Sequence, residues 1–391
     1  MSWRNKIQAD LEKRREDDLL RQRITLDSAQ GAHIRVEGKP LTNFCSNDYL
    51  GLANHSALIE ALQEGAALWG AGSGASHLVC GHLRPHQQAE EKLADFVGAE
   101  AVLLFSTGYM ANLSLPAALL GRDDLILEDR LNHASLIDAA LLSRASLGRY
   151  PHLNIRSLDE RANAHSDGRV LISTDAVFSM DGNLAPIQFI ADLAERTDGM
   201  AVFDDAHGFG VLGKGHGTLA QMGVEPSGNN LMVGTLGKAL GLSGAFIAGD
   251  RVLIDYLIQF GRPYIYTTAL PPAIAHAVCA AIDLLDRESW RREKLQQNIQ
   301  HFRNEAAKAN LNLMESETAI QPLVIGNAGK AYALSQALKQ NGYLVSAIRP
   351  PTVPLGTARL RITLSAAHEQ ADIDQLVSSL AEGVKIQGQE A

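Results

Sequence analysis

Short apolar runs alternate with amphipathic stretches through the middle of this 391-residue chain. Runs at 101–105, 125–128, 170–174, 200–204, 231–235 and 245–248 read as strands, and stretches such as 187–196 between them read as helices. Strands that are apolar throughout, instead of alternating, are buried on both faces. That predicts a parallel sheet covered by helices, with its site at the carboxyl ends of the strands. A further helix is expected over 57–68. A highly charged one is expected over 3–23, with Trp3, Ile7, Leu11 and Leu19 on one side; it needs the protein body or another subunit to pack on. After a long helix over 273–308 the texture changes, and 322–326, 343–348 and 359–364 read as strands of a smaller unit closed by a helix over 369–385. The expected fold class is α/β: a large, mostly parallel sheet domain and a smaller α+β carboxy-terminal domain. Residues 1–45 form an N-terminal helix and arm, 46–285 the large domain and 286–391 the small one.

Composition narrows the class. The chain is 46% hydrophobic and 20% charged, and 35 Lys+Arg against 44 Asp+Glu give a net charge of −9. This balance speaks against a nucleic-acid binder, which would show a basic face. Cys45, Cys80 and Cys279 lie far apart with no CxxC spacing, so reduced thiols and a cytoplasmic location are expected. Met1-Ser-Trp-Arg-Asn-Lys runs straight into charge, so no signal peptide is expected. No stretch reaches the roughly 18 apolar residues of a membrane helix.

Four features at expected strand ends carry candidate chemistry. Phe105-Ser-Thr-Gly-Tyr-Met-Ala-Asn112 lies between a strand and a helix expected near Ala111; the helix amino terminus suits an anion, and Gly108 permits close approach. A plain capped turn reads equally well. Asp204, in Val202-Phe-Asp-Asp-Ala-His207, could hold a pyridine nitrogen protonated, with His207 at a ring substituent; a capped turn or a metal carboxylate pair are the other readings. Lys238, in Gly234-Thr-Leu-Gly-Lys-Ala-Leu-Gly241, does not follow Walker spacing. A desolvated lysine there forms Schiff bases, and Thr235 is placed to hold a phosphate. Arg359 and Arg361 share one face of a late strand, where guanidinium is the natural partner of a substrate carboxylate; an edge-strand salt bridge is the plain alternative. Two decoys fall away. Gly70–Ala75 follows a helix where a dinucleotide fingerprint needs a strand, and His77, His82 and His86 lack a matched carboxylate for zinc.

Together with Ser46-Asn-Asp-Tyr-Leu-Gly-Leu52, Gly72-Ser-Gly74, Phe178-Ser-Met-Asp-Gly182, Tyr266-Thr-Thr268, Ile348-Arg-Pro-Pro-Thr-Val-Pro354 and Gly356-Thr-Ala-Arg-Leu-Arg361, these segments resemble the α-oxoamine synthase family of fold-type I enzymes that use pyridoxal 5'-phosphate (PLP). The resemblance runs from Arg21 almost to the end. It implies that Lys238 carries the cofactor and serves as base, that His133 stacks on its ring, that Asp204 pairs with the pyridine nitrogen, and that Ser179 and His207 contact the phenolic oxygen. Gly108, Tyr109 and Thr235 would hold the phosphate. Thr267 and Thr268 would reach the phosphate of the other subunit's cofactor, which implies a homodimer with shared sites. Arg361, helped by Arg349, would take the amino-acid carboxylate; Asn47 and Thr352 would line the site; Arg21 would meet the distal carboxylate of a pimeloyl chain. The implied reaction is the decarboxylative condensation of L-alanine with a pimeloyl thioester, carried by CoA or by acyl carrier protein. His82, after Gly81, stands where glycine-using relatives carry Thr and favours alanine. Asp175, where relatives often have Glu, and Phe209, where a smaller residue is common, depart from the pattern. A rival of another class is a phosphate-binding module in which Lys238 is only a phosphate ligand.

Overall fold

The computed structural model describes residues 1–17, 19–166 and 168–389, with side chains up to 386. Asp18, within the expected first helix, lies outside these residues. The chain divides into two compact units, one of 50–179 with 183–293, the other of 1–49, 180–182 and 294–391.

The first unit is built on one seven-stranded sheet. Its strands are β1 (Ala101–Phe105), β2 (Leu125–Asp129), β3 (Ser146–Tyr150), β4 (Val170–Asp175), β5 (Met200–Asp204), β6 (Asn230–Thr235) and β7 (Ala245–Gly249), in the order β1-β7-β6-β5-β4-β2-β3. Every residue of β1, β4 and β7 is buried, as the unbroken apolar runs predict. Helices Gly108–Leu119, Ala134–Ser143, Ile155–Asn163 and Ile187–Arg196 make the successive crossovers from β1 to β5. The core gathers Leu103, Leu115, Val202, Leu231, Val233, Ile247 and Leu257, each contributing roughly 1.5–3 kcal/mol when fully buried.

Six strands run one way, and β7 runs antiparallel to both its neighbours. The sheet is thus mostly parallel, as expected, and β7 departs from the common direction for a simple reason. Only residues 236–244 join β6 to β7, too few for a parallel crossover. β5 lies at the centre, so its last residue, Asp204, ends in the middle of the sheet's carboxyl edge.

In the second unit Ile320–Gly326, Ala358–Thr363 and Ser346–Ile348 form an antiparallel sheet with Ala358–Thr363 central. A hairpin of His33–Val36 and Lys39–Asn43 pairs with Tyr343–Leu344. The single strand expected over 343–348 is thus two pieces serving different sheets, separated at the buried Val345, whose carbonyl accepts the Ser335 hydroxyl at 2.6 Å. The long helix expected over 273–308 is also two, Pro272–Arg287 and Trp290–Lys308. Glu288 leaves the helical region at φ −115°, ψ 44°, and the Ser289 carbonyl begins a new helix by accepting from Arg292 and Glu293. The first helix stops at Glu16, short of the expected 23, because no apolar residue between Leu11 and Leu19 extends its stripe; none of its residues is buried. Among the described residues no helix is long and apolar enough to cross a membrane.

Candidate active site

The chemistry of the first unit gathers at the carboxyl edge of its sheet. Asp204 is buried; its Oδ1 accepts the Ala206 N–H at 3.1 Å and its Oδ2 the Asn112 side-chain amide at 2.6 Å. The same amide donates to Ser135 Oγ at 2.9 Å, and Ser135 Oγ lies 2.7 Å from His133 Nδ1. A single hydrogen-bonded chain therefore ties Asp204 to His133. The His133 backbone N–H is held in turn by Asp175 Oδ2 at 3.0 Å. Lys238 Nζ, just beyond β6, is 3.1 Å from His207 Nε2.

Burial sets the charges. It lowers the pKa of His133 below the ordinary imidazole value, with Asp204 opposing and Lys238 reinforcing, so the ring is neutral near pH 7. Burial, then the neighbouring Asp204, raises the Asp175 carboxyl well above its usual range. Asp205 is pushed up to about 7 by burial, against its bonds from Thr218. Its carboxylate is taken up by the Thr218 N–H at 2.6 Å and by the Thr218 hydroxyl. The metal-pair reading of Asp204 and Asp205 therefore fails, and no group of three metal-ligating side chains exists among the described residues. The three histidines are engaged with protein partners and with each other. His86 accepts the Leu83 N–H at 3.0 Å through Nδ1 and bonds the Leu270 carbonyl at 2.6 Å through Nε2, while His77 and His82 face each other at 2.9 Å.

The helix expected near Ala111 starts three residues earlier, at Gly108, because Thr107 Oγ1 caps the Met110 N–H at 3.2 Å. Capping leaves the N–H groups of Gly108 and Tyr109 without intrahelical partners. A Cβ on Gly108 would stand 2.9 Å from Thr235 Cγ2, so helix terminus and Thr235 abut in a narrow cradle. Tyr109 bonds Asp138 and presents its ring edge-on to His133, with centroids 6.4 Å apart. Ser179 is half-buried in the turn closed by the Val177–Leu184 bridge. Thr267 and Thr268 are not hydrogen-bonded to this group. Thr267 lines a separate surface cavity of about 750 Å³ with Met110, Arg144, Arg262 and Tyr266. Phe209 is buried edge-to-face against Phe246 at 4.9 Å. Sequence reasoning missed Asn112 and Ser135; the signal was the i, i+4 spacing of Gly108 and Asn112 on one helix face.

In the second unit, Arg361 donates to Asn47 Oδ1 at 3.1 Å and to Thr363 Oγ1 at 2.8 Å. Arg359, on the same strand, is committed to a buried ion pair with Asp181, in line with the salt-bridge alternative for that residue. Arg21 and Arg349 line one cavity of about 650 Å³, together with Leu20, Ile24, Cys45, Lys339 and Leu344. Arg349 lies over the Tyr332 ring at 4.8 Å, and Thr352, whose N–H donates to the Arg349 carbonyl at 3.1 Å, is exposed.

A carboxylate, a lysine beside an imidazole, a neutral histidine and a glycine-lined helix terminus fit a pyridine ring with an anionic tail. Fold and site together define a fold-type I PLP enzyme. The profile of the aminotransferase class I and II family matches residues 39–380, and the chain belongs to that family. It is similar to the 8-amino-7-oxononanoate synthase of Pseudomonas entomophila, 53% identical over 377 residues that cover 96% of each chain. Among solved structures it is similar to a serine palmitoyltransferase from S. paucimobilis with a bound PLP–myriocin aldimine (TM-score 0.93, 26% identity, 99% and 100% of the two chains). It is likewise similar to the 8-amino-7-oxononanoate synthase of Francisella tularensis (TM-score 0.77, 32% identity, 89% and 98%).

Proposed function

We propose that this chain condenses L-alanine with a pimeloyl thioester, releasing carbon dioxide and the thiol carrier and forming 8-amino-7-oxononanoate, a step of biotin synthesis. The observation that carries this reading is the 53% identity to a synthase of that name along 96% of the chain. The backbone lies closer to serine palmitoyltransferases, but fold alone does not choose a substrate. The Arg21 and Lys339 side of the second unit's cavity supports the synthase reading. Its cations match an acyl chain ending in a carboxylate and would be wasted on a palmitoyl chain.

The cofactor is PLP, which when bound supplies a Schiff-base carbon and an electron-withdrawing ring. Lys238 anchors it and moves the proton at the alanine Cα. Asp204, oriented by Asn112, holds a proton on the pyridine nitrogen. His133 would stack on the ring, and its neutrality would let it do so without repelling a protonated ring. Ser179 and His207 serve the phenolic oxygen; the N–H groups of Gly108 and Tyr109, with Thr235, serve the phosphate. Arg361 and Arg349 take the alanine carboxylate, Asn47 and Thr352 line the amino-acid site, and Arg21 takes the distal carboxylate of the acyl chain. Thr267 and Thr268 complete the phosphate site of a second copy, which makes the enzyme a homodimer. Either CoA or acyl carrier protein can present the thioester.

Carbon dioxide release across amino acids and thioesters tests this. L-Alanine with pimeloyl-CoA should be the fastest pair. Faster turnover with L-serine and palmitoyl-CoA, or with glycine and acetyl-CoA, overturns the assignment.

A further inference from the structure

Behind the site, in the same unit, lies a second set of polar groups that the reaction does not use. Asp129 ends β2 and is buried. Its Oδ1 accepts the Leu131 N–H at 2.8 Å, and its backbone carbonyl the Asn132 N–H at 3.2 Å. These bonds shape the loop 130–133, which ends in His133. Oδ1 also lies 2.9 Å from His152 Nδ1, and Oδ2 accepts the Leu153 N–H at 2.8 Å.

Leu153 has φ +55°, a left-handed backbone that a bulky side chain adopts only when its surroundings impose it. The Asp129 carboxylate, by accepting the N–H of this residue, ties the strained turn to the end of β2. The turn thus held aims His152 at a third segment. Its Nε2 is 2.8 Å from the Asn183 side-chain amide, and its ring meets Phe178 edge-on at 4.5 Å. The Asn183 carbonyl accepts the Phe178 N–H at 3.0 Å, closing the turn that contains Ser179. Asn183 Oδ1 stays buried without a hydrogen-bond partner among the described residues. Such a group is tolerated where the rest of the side chain is needed in place.

One carboxylate is therefore bonded, directly or through one imidazole, to two loops. One carries His133 and the other carries Ser179. We propose that Asp129 and His152 are positioning residues which hold the ring-stacking His133 and the Ser179 hydroxyl at the phenolic oxygen in register with one another. Neither touches the reacting atoms. They act by fixing the loops, so that the ring-stacking group and the hydroxyl at the phenolic oxygen keep one mutual geometry. The inference rests on the assignment of His133 and Ser179 made above.

The test uses the visible absorption band of PLP on the loaded enzyme, its pH midpoint, and the PLP dissociation constant. The wild type is compared with Ser179→Ala, His152→Leu and the double variant. His152→Leu should displace the band in the same direction as Ser179→Ala and weaken PLP binding about tenfold, as a lost supporting bond does. The double variant should resemble Ser179→Ala alone, because the two changes act through one group. Asn183→Ala severs only the second link; it should move the band while leaving the Asp129 bonds to the His133 loop intact, and it serves if His152→Leu does not fold. A His152→Leu or Asn183→Ala protein that loses thermal stability yet keeps the wild-type band and dissociation constant overturns the proposal. A Ser179→Ala protein with an unmoved band overturns the assignment of Ser179, and the proposal with it.

Discussion

His368, in the second unit, shows what enclosure does to a titratable side chain. It stacks on Phe44 with centroids 4.2 Å apart, accepts the Ser365 N–H at 3.0 Å and bonds the Asn43 carbonyl at 2.9 Å. Burial pulls its pKa down to about 4. An unfolded chain would titrate near 6.5, so below that pH the unfolded state binds a proton the native state refuses. The contribution is fully present above about pH 6.5 and is lost as pH falls towards about 4, amounting to about 3 kcal/mol. Urea midpoints at pH 7 and pH 4.5 should show that loss in the wild type, and His368→Gln should flatten the dependence by one proton. His133 is held neutral by the same physics but is placed where neutrality is useful. The reach of sequence reasoning divides along this line. Lys238, Asp204 and His207 were legible because their residue types are unusual at the ends of apolar strands. Asn112 and Ser135 were not, since Asn and Ser near a helix start read first as caps, and Asp175, at the end of its strand, stood out only as a departure from the family pattern. Asp129 and His152 stand 23 positions apart, and nothing local joins them.

Elements were legible where burial alone sets their pattern. β1, β4 and β7 lie wholly in the core, and each reads as an unbroken apolar run. β3, Ser-Leu-Gly-Arg-Tyr, went unseen because it is an edge strand with one buried residue. The hairpin of 33–43 alternates too briefly to stand out. Strand direction is not written in a strand's own residues; the short 236–244 connection held the clue for β7. At the helix Gly108–Leu119, tight contact with β6 is the point of interest. Gly108→Ala should force the helix terminus away from Thr235 and weaken PLP binding about tenfold, roughly 1.4 kcal/mol, with little change in urea midpoint. Equilibrium titration of the apoprotein with PLP measures it.

For the whole molecule the proposed homodimer with shared sites makes a sharp claim. Lys238→Ala alone should lose both the borohydride-reducible yellow colour and turnover, and Thr268→Ala should be impaired at the neighbouring copy's phosphate. In a mixed dimer both lesions fall on one site and the other is intact. Random reassortment of equal amounts of the two chains should therefore restore about a quarter of wild-type sites. Recovery no greater than the sum of the two separate variants would show that each copy works alone.

The place of β7 between β1 and β6 also bears on how the protein is made. Among the described residues β1 pairs only with β7, so its run Ala-Val-Leu-Leu-Phe emerges from the ribosome with no neighbour until 245–249 has been translated, some 140 residues later. For that interval, roughly ten seconds or more at ordinary elongation rates, the nascent chain holds an unsatisfied, strongly apolar edge. Sheet completion is thus a late event of synthesis, and a chain interrupted before Ala245 would leave a segment ready to pair with whatever strand it meets.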